Sequence, residues 1–78
     1  MESTIVFYGT VIFFSNQKGY GFLQWLDEHG AQQKDMFVHY SDIDQQGYKS
    51  LTKGQHVSFQ IGANNQGVPK AINVRIVP

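Results

Sequence analysis

The chain has 78 residues, 41% of them hydrophobic and only 15% charged, with six basic residues balancing six acidic ones. That length implies one domain with a thin core and no room for a large cleft or second lobe, and zero net charge argues against a basic arm or helix held to DNA by phosphate attraction. The six Phe, four Tyr and one Trp, 14% of the chain, are more rings than so small a core hides, so several belong on the surface.

Thr4 to Phe14 is rich in β-branched and aromatic residues, and Gly9 interrupts it. It predicts one kinked strand or two short ones. Ser15-Asn16-Gln17-Lys18-Gly19 has turn composition and leads into a strand over Tyr20 to Leu26. Asp27 to Lys34 is polar and carries Gly30, as a hairpin loop does. The third strand spans Asp35 to Tyr40, with Met36 and Val38 on one face and Phe37 and His39 on the other. Ser41 to Lys53 lacks strand patterning and reads as a long connection with one helical turn. Gln55 to Ile61 alternates, with Val57, Phe59 and Ile61 on one side. A flexible loop over Gly62 to Val68 precedes a fifth strand, Ala71 to Val77, with Ile72, Val74 and Ile76 in phase. No uninterrupted helical period exceeds ten residues, so the class is all-β: five short strands, a number suited to a small barrel.

Two of these strands carry the chemistry. In Lys18-Gly19-Tyr20-Gly21-Phe22, alternation puts Tyr20 and Phe22 on one face. Phe37 and His39 share a face of the next strand, with Tyr40 following. If the strands pair through the Gly30 loop, four flat side chains form a platform on which unpaired bases can stack. Lys18 at its rim can meet a phosphate, and Phe13, Phe14 and Tyr48 extend the candidate set. One such ring alone would read as core. Together they do not, because Leu23, Met36 and Val38 already fill the opposite face.

With these motifs the chain resembles the cold-shock domain family from Gly9 to Val74. Lys18-Gly19-Tyr20-Gly21-Phe22 is similar to the family's first ribonucleoprotein motif and Phe37-Val38-His39-Tyr40 to its second. Gly47-Tyr48-Lys49-Ser50-Leu51, Gly54-Gln55-His56-Val57-Ser58-Phe59 and Pro69-Lys70-Ala71-Ile72-Asn73-Val74 follow in the family's order. The resemblance implies a five-stranded antiparallel oligonucleotide-binding barrel that holds single-stranded RNA and DNA and melts RNA secondary structure, a non-enzymatic RNA chaperone. By position it implies Phe13, Tyr20, Phe22, Phe37, His39, Tyr40 and Tyr48 as stacking residues and Lys18 as a phosphate contact. Phe14, Lys49 and Lys70 are further rim candidates.

The chain also departs from the family pattern. Ile12-Phe13-Phe14-Ser15 stands where the family usually has Lys-Trp-Phe-Asn, so the face loses a cation, a larger indole and an amide. Tyr20, Tyr40 and Tyr48 add hydroxyls where Phe is common. The Gln24 to Lys34 segment is longer than in compact members. It carries Trp25, which reads either as core at the hairpin end or as a lone exposed ring.

Elsewhere the chemistry is sparse. No cysteine is present, which excludes disulfides and thiolate zinc sites and favours a reducing compartment. No run is long enough to span a membrane, and Met1-Glu2-Ser3-Thr4 lacks the basic start of a signal peptide, so a cytoplasmic protein is expected. His29, His39 and His56 show no metal-ligand spacing. Asp27 with Glu28, and Asp42 with Asp44, read as solvated loop charge, and Ser41 and Ser50 have no partnered base. The expectation is no enzyme, metal or cofactor, and a monomer, with a strand-swapped dimer as the alternative. The competing function is a protein-interaction module that uses the same face.

Overall fold

A computed structural model describes residues 5–47 and 49–78, and the side chain of residue 34 is not among what it describes. The strands are β1 Phe7–Ser15, β2 Tyr20–Leu26, β3 Gln32–His39, β4 His56–Ala63 and β5 Pro69–Ile76. They close into a barrel in the order β1-β2-β3-β5-β4. The seams β1–β2, β1–β4, β2–β3 and β4–β5 are antiparallel. Closure is by a parallel contact between β3 and β5 at Val38 and Ala71. The antiparallel expectation therefore holds for four seams and not for the one that shuts the barrel. A single 3-10 turn, Tyr40–Asp42, begins the long connection before β4.

Alternation builds the interior. Val11, Leu23, Met36, Val38, Val57, Phe59, Ala71 and Val74 point inward, and Ile43 and Leu51 from the connection plug the barrel. Fully burying a side chain of this size contributes about 1.5–3 kcal/mol.

Three irregularities break the period, and each corrects a sequence expectation. In β1 the register against β2 shifts between Val11 and Phe13. Ile12 is the extra residue of a bulge, and Val11 is fixed beside it by bonds to Gln55 (N–H to O, 2.9 Å) and from Gly54 (2.8 Å). The shift turns Phe13 outward and Phe14 inward. In β3, Asp35 adopts a positive φ of 61° where the pairing with β2 slips between Leu23 and Trp25. The strand nevertheless starts at Gln32, three residues before the expected Asp35. In β5, Asn73 has φ 51°, so Ala71 and Val74, three apart, are both buried. Ile72 therefore leaves the face of Val74 and covers Gly62, whereas Ile76, opposite Val57, keeps that face but is exposed.

Ile61 keeps the side of Val57 and Phe59, opposite buried Ala71, but is 40% exposed. β1 covers β4 only as far as Phe59, so Ile61 lies beyond the roof of the barrel. The first strand begins at Phe7; Thr4, where the sequence would start it, lies outside the described residues.

The β2–β3 loop is short and closed by Asp27. Its Oδ1 accepts the backbone N–H groups of His29 and Ala31, both at 2.9 Å, and its Oδ2 accepts Gln33 Nε2 at 3.0 Å. The Ala31 bond, with those from His29 and Gln33, holds the carboxyl below the usual carboxylate range against an opposing desolvation effect. Among the described residues, no helix is long and apolar enough to cross a membrane.

Candidate nucleic-acid interface

The outer faces of β2 and β3 bring Tyr20, Phe22 and Phe37 together. Phe22 pairs across the strands with Phe37, and Tyr20 with His39. Ring centroids are 6.3 Å apart for Tyr20–Phe22, 5.7 Å for Tyr20–Phe37 and 5.9 Å for Phe22–Phe37. Such spacing lets each ring brace its neighbours and still leave part of its surface to solvent. All three are half-buried, whereas Leu23 and Val38 on the reverse of the same strands are sealed. Phe13 joins the group opposite Phe22 and is 48% exposed.

Gly21 makes this approach of β1 to β2 feasible. A Cβ at that position would overlap the Phe13 carbonyl and crowd Phe14. Phe14 itself lies against the core, so it is not part of the rim as the sequence suggested. The β1 bulge is the reason: it exchanges the sides of the two phenylalanines.

His39 and Tyr40 extend the face at one end, with centroids 4.6 Å apart. His39 Nδ1 accepts the Ser41 N–H at 3.3 Å and lies 2.8 Å from the Ser41 hydroxyl. A neutral ring in that arrangement carries its proton on Nε2, leaving a donor. Tyr40 lies over Gly19, whose φ is 79°, and a Cβ there would come within 2.8 Å of the ring. The backbones are tied as well, Tyr40 N–H to the Gly19 carbonyl at 2.8 Å. The Ser15 hydroxyl accepts the Lys18 N–H at 3.1 Å and closes the turn.

Beside Tyr40 is a depression of about 420 Å³ flanked by Lys18 and Lys49, with Asn16 and Gln17 on its wall. The sequence marked Asn16 and Gln17 only as turn residues; their amides are donors and acceptors suited to a base edge. Tyr48, the remaining ring expected here, lies outside the described residues. Lys70 is not a free rim cation: its Nζ is 3.1 Å from Asp42 Oδ2, and both side chains are largely shielded. The two meet as charges, without the alignment of a hydrogen bond. Trp25 takes the first of its two readings. It packs edge-on against Phe7 at 5.1 Å and Phe59 at 5.7 Å.

Residues 7–77 match the family model described as the 'Cold-shock' DNA-binding domain. The chain belongs to the cold-shock domain family. Among its relatives, a cold shock-like protein of Aquifex aeolicus is 45% identical over 71 residues, covering 91% of this chain and 94% of that protein. The cold shock protein CspB of Geobacillus stearothermophilus is 48% identical over 66 residues, 85% of this chain and 91% of the relative. The cold shock-like protein CspB of Bacillus cereus is 47% identical over the same length, 92% of its own. The all-β barrel and a nucleic-acid-binding, cold-shock-type function follow from this membership.

Proposed function

We propose that the protein captures unpaired RNA and DNA by stacking bases on Tyr20, Phe22, Phe37, His39, Tyr40 and Phe13, and acts as an RNA chaperone. The observation that carries this reading is the mutual packing of Tyr20, Phe22 and Phe37 on an outer face whose reverse is already core. Rings left partly exposed there cost solvation and gain most when a base covers them. Each stack is worth about 1–3 kcal/mol and accepts any base. Lys18 and Lys49 supply phosphate contacts at the Tyr40 end. Capture shifts RNA towards open strands by mass action, with no chemical step and no nucleotide fuel. The protein does this as a cytoplasmic monomer.

The test is anisotropy of end-labelled oligothymidine against the same sequence in a duplex. The label belongs on the oligonucleotide, because Trp25 is not among the platform rings and packs edge-on against Phe7 and Phe59. Clear preference for the single strand is expected. Equal affinity for both would overturn stacking; failure to bind either would favour a protein partner for this face.

A further inference from the structure

The outer face of β1 and β2 does not end at the rings. The register pairs Phe13 with Phe22, then Thr10 with Gln24, then Tyr8 with Leu26. All point outward, so one stripe leads from the platform to a second aromatic site. Tyr8 is 62% exposed and Leu26 51%, among the most open large side chains described. They border a depression of about 300 Å³ with Thr10, Gln24, Gln32 and His56 on its wall. Among the described residues, no carboxylate lines it. Thr10 Oγ1 and His56 Nδ1 lie 3.2 Å apart, so one edge of the His56 ring is held.

We infer that Tyr8 and Leu26 form an additional stacking site for nucleotides that flank the segment held on the platform. This rests on the proposed function, since the occupant is the same strand continuing along the same face. Continuity of that outer face, and a neutral wall that does not repel phosphate, select a nucleic-acid strand over other occupants. The flat Tyr8 ring supplies a stacking surface, and the Gln24 and Gln32 amides supply polar contacts for base edges. From Phe22 to Leu26 is about 13 Å along β2. A strand spans that in at most about four nucleotides at duplex spacing. The bound segment is therefore longer than the platform alone accommodates.

The experiment compares end-labelled oligothymidines of about four and about ten nucleotides, within the range that such barrels occupy. Tyr8→Ala should weaken the long oligomer by about fivefold or more and leave the short one unchanged. Tyr8→Phe should behave as wild type. His56→Glu leaves the Tyr8 ring in place but exchanges the imidazole on the wall for a carboxylate, and should also weaken only the long oligomer. Thermal melts of each variant verify folding. Unchanged long-oligomer affinity in Tyr8→Ala overturns the site while leaving the platform intact. A Phe37→Ala variant that binds the short oligomer normally would instead overturn the platform. If Tyr8→Ala changes sedimentation but neither affinity, the patch is a contact between copies and the inference fails.

Discussion

Phe22 and Leu23 are adjacent on β2 and lie on opposite sides of the barrel wall, so truncating each should produce opposite phenotypes. Phe22→Ala or Phe37→Ala is expected to weaken single-strand binding by about 1–3 kcal/mol in a protein that still gives a strand-type circular dichroism spectrum. Leu23→Ala removes a side chain with no exposure and should lose about 2–5 kcal/mol of stability in a denaturant melt. If the two phenylalanine variants unfold and Leu23→Ala does not, the faces are inverted. His39→Ala should cost less binding than either phenylalanine change, because its ring is smaller. Gly21→Ala is the most severe single methyl in this region. It drives a Cβ into the Phe13 carbonyl, so it should separate β1 from β2 and lose folding and binding together.

Elements differ in how far their sequences disclose them. β2 alternates without interruption, and Tyr20, Phe22 and Leu23 fell on the sides that the period assigns. β1, β3 and β5 each contain a local shift that hydrophobic pattern does not encode, because Ile12, Asp35 and Asn73 are ordinary residues for a strand surface or a turn. The Phe13–Phe14 ambiguity is the functional consequence: both are aromatic, and only the bulge at Ile12 decides which faces solvent. The ion pair of Lys70 with Asp42 was equally hidden, since the partners are 28 positions apart in sequence and meet only when β5 closes on β3. The β2–β3 loop is a case where one residue controls an element. The Asp27 carboxyl is lowered below its ordinary value in the folded state, so ionisation favours folding. That contribution is present above the unfolded value, about 3.9, and disappears as pH falls through the folded value. Asp27→Asn should therefore melt lower than wild type at neutral pH, with the difference shrinking as both are acidified below about pH 4. A gap that stays constant with pH would mean that loop geometry, not charge, is what Asp27 provides.

At the scale of the whole molecule, the charge distribution sets how binding responds to salt. Neutralising Z phosphates on a single strand gives a log–log slope near −0.7Z. The chain has only six Lys and Arg residues, matched by six acids. Lys70 is already committed to Asp42, and Arg75 Nε donates to Asp44 at 2.8 Å. Of the other four, Lys18 and Lys49 lie beside the Tyr40 depression, and neither is in an ion pair among the described residues. Z is then about 2–3, and the expected slope is roughly −1.5 to −2. Stacking between rings and bases is not screened as phosphate contacts are, so most affinity should survive at high salt. Lys18→Ala should make the slope shallower by about 0.7, whereas Phe37→Ala should lower affinity at every salt concentration without changing the slope. Titrations of labelled oligothymidine across a salt series measure both quantities. A wild-type slope steeper than about −4 would require more phosphate contacts than these cations supply, and would move the main source of affinity from the rings to charge.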